Sequence, residues 1–276
     1  MPELPEVETV VRTLRPHLLG LAISRVQLLR SDILKPPSLA LPQQLVGRSL
    51  QAVRRRGKKI LLILDKGATC FHLGMTGRLT IEHPDAPLLP HTHLILSFHH
   101  SPTAPDNLQL RFRDPRRFGA VTLLTSAADA ETNLGPEPLT LRPNQLHKLL
   151  ARTRRPIKSA LLDQSLIAGL GNIYADESLF VAALHPLTPA NHLSHTQIRQ
   201  LTQSIKLVLR RAIRAGGSSL RDYVDANGSP GRFQNLHNVY ARHNQPCRKC
   251  HTPIQRIVLT GRSTHFCPHC QRLPSQ

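Results

Sequence analysis

The chain has 276 residues, 40% of them hydrophobic, which is enough for two domains of ordinary size and too apolar for a disordered chain. Lys and Arg total 36 against 17 Asp and Glu, a formal +19, so the expected partner is a polyanion, nucleic acid before an anionic membrane. No apolar run reaches spanning length, the acidic N-terminus is unlike a signal peptide, and aromatics at 4% without Trp argue against a single-strand stacking platform.

In chain order, a helix is expected to begin near Pro5, where proline suits the first turn and Glu6 and Glu8 suit the positive end of the dipole. Val7, Val10, Val11, Leu14 and Leu18 follow helical spacing, with Pro16 interrupting or kinking the run before Gly20. From Ile23 to Leu124 short apolar runs recur ("ISRVQLL", "KKILLILD", "ATCFHLG", "HLILSFH", "LQLRF", "GAVTLL"), the pattern of an antiparallel sandwich or barrel. The proline-rich pieces at 84–90 and 102–106 read as surface loops.

"NLGPEPLT" (133–140) marks a boundary, and "PNQLHKLLAR", "PIKSALLDQ", "NIYADESLFVAAL" and "HTQIRQLTQSIKLVLRRAIRAG" then read as helices. The Gly- and Ser-rich stretch "GGSSLRDYVDANGSPGRF" (216–233) reads as a mobile loop. "CRKC" (Cys247, Cys250) and "CPHC" (Cys267, Cys270), sixteen residues apart, have zinc-ribbon spacing. The segment between them reads as a hairpin turning at Thr260–Gly261, with Arg256 and Arg262 projecting from it and one structural Zn²⁺ ordering it. Cys70, alone in an apolar stretch, reads as packing. The histidines of "HTHLILSFHH" have no nearby carboxylate or cysteine to complete a second metal site.

"MPELPEVETV", "RRRGKK" (54–59), "HLGMTGRL" (72–79), "RFRDPRRFG" (111–119), "GLGNIYADESLF" (169–180) and the four-cysteine ribbon occur in that order. Together they resemble the formamidopyrimidine-DNA glycosylase family over essentially the whole chain. Leu4 favours its oxidised-purine branch over the related endonuclease VIII branch, which typically has Gly there. The resemblance implies an α+β fold in three pieces: an N-terminal β-sandwich with flanking helices (1–134), a helix-two-turn-helix domain (135–240) and a zinc-ribbon β-hairpin (241–276). DNA would run through a basic cleft. The implied protein is a cytoplasmic, nucleoid-associated monomer that acts on damaged double-stranded DNA, with no membrane and no obligatory protein partner.

The implied activity is excision of oxidised purines (8-oxoguanine and formamidopyrimidines) with abasic-site lyase cleavage through a Schiff base on the N-terminal proline. Pro2, freed by loss of Met1, would be the nucleophile, Glu3 the proton shuttle and Glu6 the support of the amine. Lys58 would contact the lesion sugar or its phosphates, and Arg262 stands in both the catalytic and the DNA-binding sets. Met75, Arg116 and Phe118 would fill the gap left by the extruded nucleotide, with Arg116 facing the orphaned base. Asn172 is expected as a helix N-cap over a phosphate cradle, with Lys158 adding charge nearby. His93 and Tyr240 complete the DNA-binding set, and 217–234 would close over the flipped base. Lys59 stands where the family often has an aromatic residue. Two other readings compete: the pyrimidine-preferring branch, and a catalytically silent, zinc-dependent DNA-binding protein. A membrane-surface protein is more distant.

Overall fold

The computed structural model describes residues 1–36, 41–100 and 107–273, in two compact units. The first comprises Met1–Thr132 together with Gly216–Arg232, and the second Asn133–Ala215 together with Phe233–Gln276. The helices between Pro143 and Arg214 and the cysteine ribbon thus share one unit, while the segment 216–232 belongs with the sandwich. The loop expected at 102–106 lies outside the described residues.

The first unit opens with helix α1 (Leu4–Leu18), whose apolar face (Val7, Val10, Val11, Leu14, Leu18) is buried in the main core. The helix passes through Pro16 and ends two residues later, so the proline does not interrupt the apolar face. Strands β1 (Ala22–Leu28), β6 (Thr92–His99), β7 (Leu108–Arg113) and β5 (Arg78–Glu82) form one antiparallel sheet in the order β1-β6-β7-β5. Strands β2 (Leu50–Arg56), β3 (Lys59–Leu64), β4 (Ala68–His72) and β8 (Ala120–Leu124) form the other, in the order β2-β3-β4-β8. A short helix, α2 (Leu41–Leu45), lies between β1 and β2 in the chain. Inward residues of both sheets, among them Ile23, Val53, Phe71, Leu96, Phe98, Phe112 and Val121, share a single core, the signature of a sandwich. Phe71 and Phe112 meet edge to face across it, with ring centroids 5.9 Å apart.

The second unit holds α3 (Pro143–Leu150), α4 (Ile157–Leu162), α5 (Asn172–Val181) and α6 (His195–Arg214), followed by the hairpin β9 (Gln255–Leu259) and β10 (Arg262–Phe266). α6 is capped by Ser194, whose hydroxyl accepts from the Gln197 amide. The hairpin turns at Thr260 and Gly261, both at positive φ, as a two-residue hairpin connection requires. No helix among the described residues is long and apolar enough to cross a membrane.

Candidate functional site

The start of α1 concentrates carboxylates where a helix favours them. Glu3 is the N-cap, and Glu6 reaches back so that its Oε2 accepts from the Glu3 amide at 2.8 Å, closing a capping box. Both side chains are buried, at 3% and 2% exposure, although lone carboxylates belong in water. Pro2 is buried behind an exposed Met1, so loss of Met1 uncovers the proline nitrogen without opening the core. The other Glu6 oxygen, Oε1, accepts from the Ser218 amide at 2.7 Å.

Strand β2 runs alongside α1, tied first by Arg15 Nη2 to the Val53 carbonyl (3.0 Å) and then by Arg55 to Glu8 (3.0 Å). These ties follow the helix back toward its N-terminus, so β2 carries its tip toward Pro2. That tip is the two-residue turn Gly57–Lys58, with Gly57 at φ +55, and it presents Lys58 one residue before β3 begins. His72, opposite Lys59 at the end of β4, joins the site without a local sequence signal to announce it. Its Nδ1 accepts from the Gly74 amide at 3.1 Å. Burial, and then the charges of Lys58 and Lys59, push its pKa below the ordinary histidine value.

Met75, Arg116 and Phe118 come together on two facing turns. Met75 and Phe118 are 38% and 54% exposed, too much for core residues of their size. The Arg116 guanidinium lies 4.7 Å from the Phe118 ring centroid, and its Nη1 is 3.9 Å from Met75 Sδ. Beneath them is Asp114, fully buried and not singled out from sequence. One of its oxygens accepts from the Thr76 hydroxyl at 2.6 Å, the other from the Gly119 amide at 2.7 Å. Gly74 lets the turns touch: a Cβ there would lie 2.5 Å from the Gly119 nitrogen.

His93 is not placed to meet a ligand at the surface. It is 2% exposed, and its Nε2 donates to the Asp114 carbonyl at 2.8 Å, so it supports the loop bearing Arg116 and Phe118 from below. The exposed imidazoles of that segment are His91, whose carbonyl accepts from the Asp114 amide, and His100. The 217–234 stretch is not a free loop either. Ala226 sits in the main core, donating to Thr13 Oγ1 (3.1 Å) and accepting from the Ile81 amide (2.9 Å).

In the second unit, Lys158, expected to add charge near a phosphate cradle, is turned inward. It is fully buried, 2.7 Å from Asp176 Oδ1, and donates to the Ser263 carbonyl (2.9 Å) and Thr264 Oγ1 (2.8 Å). Gly171, not Asn172, is the N-cap of α5; Asn172 is the first helical residue, and its Nδ2 donates to the same Ser263 carbonyl. Ser263 therefore holds its neighbour, the exposed Arg262, beside the first turn of α5. Tyr240 is half-buried, its ring 5.1 Å from that of His265, and its amide donates to Glu177 Oε1 at 3.0 Å.

The four thiols Cys247, Cys250, Cys267 and Cys270 lie within 4.8 Å of one another, the only such metal-ligating group among the described residues. A Zn–S bond of about 2.3 Å sets tetrahedral sulfurs about 3.8 Å apart. Cys250 Sγ, at 3.4 Å from both Cys267 Sγ and Cys270 Sγ, is near that spacing. The Lys249 and Cys270 amides point at the Cys247 and Cys267 sulfurs, at 3.4 Å each, and orient them toward the common centre.

Family models match three consecutive stretches: the formamidopyrimidine-DNA glycosylase N-terminal domain over residues 1–121, the helix-two-turn-helix domain of the same glycosylase over 134–224, and a zinc finger found in FPG and IleRS over 244–273. The formamidopyrimidine-DNA glycosylase of Chloroflexus aggregans is 47% identical over 99% of both chains. This chain belongs to the formamidopyrimidine-DNA glycosylase family. The Geobacillus kaustophilus member is 40% identical over 99% of this chain and 100% of its own. A crystal structure of a Lactococcus lactis glycosylase mutant bound to DNA containing a formamidopyrimidine-dG matches with a TM-score of 0.90 at 36% identity, covering 99% of this chain and 100% of the other. A family member in complex with DNA carrying a carbocyclic 8-oxoguanine matches with a TM-score of 0.89, also at 36% identity, over 99% of this chain and 100% of its own. The family's zinc finger and the four-cysteine cluster agree on one structural zinc.

Proposed function

We propose that this chain excises oxidised purines from duplex DNA and then cuts the abasic strand, with Pro2 as the nucleophile. The observation that carries the reading is the pair of buried carboxylates, Glu3 and Glu6, at the N-terminal turn directly behind Pro2. Relatives of the same family are solved on formamidopyrimidine and 8-oxoguanine DNA, which supports the substrate class.

With Met1 removed, Pro2 offers a secondary amine. An α-amino group of pKa about 7.7–8.0 is roughly a quarter unprotonated near pH 7.4, against about one lysine in a thousand. The lone pair forms a bond to the anomeric carbon as the base leaves with the electrons of the glycosidic bond and a proton. Opening of the sugar ring, with a proton delivered to the ring oxygen, gives a cationic iminium. Glu3 is the neighbouring acid that carries these protons, and Glu6 fixes its backbone. The iminium acidifies the next sugar hydrogen; its loss expels the 3′ phosphate, and a second elimination expels the 5′ phosphate. Lys58 at the hairpin tip serves the sugar and its phosphates, and Met75, Arg116 and Phe118 fill the vacated stack. In the second unit, Asn172, Tyr240 and Arg262 grip phosphates. The protein acts as a monomer in the cytoplasm, on the nucleoid.

Borohydride trapping on a duplex carrying one 8-oxoguanine opposite cytosine, followed by peptide mapping, tests the reading. A crosslink at Pro2 in protein lacking Met1 is expected. Trapping on an abasic duplex alone would leave the lyase chemistry standing and refute the base preference. Tight binding with neither adduct would leave a DNA-binding protein without catalysis.

A further inference from the structure

Glu6 is held twice by the segment 216–232. The Ser218 amide donates to its Oε1 at 2.7 Å, and the Tyr223 hydroxyl donates to its main-chain carbonyl at 3.2 Å. The remaining carboxylate oxygen, Oε2, holds the Glu3 amide at 2.8 Å. One side chain therefore joins the segment to the residue that follows the nucleophile. The contact is close by construction: Gly217 has φ +81, and a Cβ there would stand 2.8 Å from Glu6 Oε1. The segment's far end is pinned independently at Ala226 by Thr13 and Ile81. Its inner turn is closed by the Ser219 hydroxyl, which donates to the Tyr223 carbonyl (2.7 Å) and accepts from the Gly231 amide (2.8 Å). The Tyr223 ring packs on the main core, and burial followed by the charge of Glu6 pushes its pKa well up, so the phenol stays a donor.

We infer that Tyr223 is a positioning residue for the nucleophile: through Glu6, it couples the seating of the 216–232 segment to the alignment of Pro2 and Glu3. This rests on the proposed role of Pro2. A segment that only grips the extruded base matters only when a base is present. A segment that also sets the amine matters on an abasic sugar, where there is no base to grip.

The test is single-turnover borohydride trapping at saturating enzyme, on 8-oxoguanine and abasic duplexes, normalised to the active fraction. Tyr223→Phe keeps the ring and deletes one hydroxyl. The loss of one hydrogen bond corresponds to a rate about threefold to tenfold lower. That loss is expected on both duplexes, in the saturated rate constant, with half-saturation changed less than about twofold. Gly217→Ala, which pushes the segment off the Glu6 carboxylate, is expected to lower both rates further. A merely structural role would move melting temperature and active fraction and leave the rate per active molecule unchanged. An abasic rate within about twofold of the unaltered protein in both variants overturns the coupling, whatever happens on 8-oxoguanine. Failure of the unaltered protein to trap on either duplex overturns the proposed function itself, and the inference with it.

Discussion

The Asp114 carboxylate and the Thr76 hydroxyl meet at 2.6 Å across 38 residues of sequence, and this bond ties the turn bearing Met75 to the loop bearing Arg116 and Phe118. Asp114 also accepts from the buried Gly119 amide. Asp114→Ala leaves that amide without a partner, at a cost of about 1–3 kcal/mol. Urea unfolding should show this loss, and binding to a lesion duplex should weaken more than the stability change accounts for, because the wedge loses its frame.

The wedge residues themselves are exposed and contribute little to folding. Met75→Ala and Phe118→Ala should leave the melting temperature within a few degrees. Excision of a base from intact duplex should fall on the order of tenfold, since unstacking costs a few kcal/mol and the wedge offsets part of it. Cleavage at an abasic site, already unstacked more readily, should suffer less. Equal losses on both substrates would count against a wedge.

Removal of zinc by a chelator should disorder the hairpin that carries Arg262 while leaving the sandwich intact, because the ribbon cysteines form a small core of their own with Val239 and Ile254. Duplex affinity should drop and return on adding Zn²⁺. Far-ultraviolet circular dichroism and binding titration would follow the two effects separately.

The parts of this site that are local in sequence are legible in it. The capping carboxylates behind Pro2, the paired cysteines and the Thr260–Gly261 turn each declare themselves within a few residues. Six of the eight sandwich strands are equally plain as short apolar runs. β2 is hidden because a register shift between Leu50 and Ala52 breaks its alternation and three arginines follow, one of them spent on Glu8. β5 buries only Leu79 fully. The glycines at 216–217 read as mobility, whereas Gly217 serves close approach to Glu6. Asp114 and Lys158 are defined by partners far away in the chain, which no local pattern encodes.

His72 gives the site a pH dependence of known sign. Its folded pKa lies below the ordinary 6.5, chiefly through burial, so the unfolded chain binds its proton more readily. Its contribution to stability is therefore whole above about pH 6.5 and is lost as pH falls toward the depressed value. Protonation at Nδ1 also ends its acceptance from the Gly74 amide, at the root of the Met75 turn. His72→Asn should flatten the stability profile between about pH 5 and 7, measured by urea unfolding at each pH. An unchanged profile would place the acid sensitivity elsewhere.

Lys158 separates structure from DNA contact most sharply. Its place in a basic chain suggests a phosphate contact, but its ammonium is enclosed by Asp176, Ser263 and Thr264. Lys158→Met strands a buried carboxylate and should cost about 3–5 kcal/mol. Pairing it with Asp176→Leu should recover only part of this, because the His265 amide then loses its acceptor. The salt dependence of duplex binding distinguishes the two roles. Each phosphate contact contributes about −0.9 to the slope of log K against log salt. Arg262→Ala should make the slope shallower by about one. For folded Lys158→Met the slope should be unchanged, and a shallower one would return Lys158 to the phosphate surface.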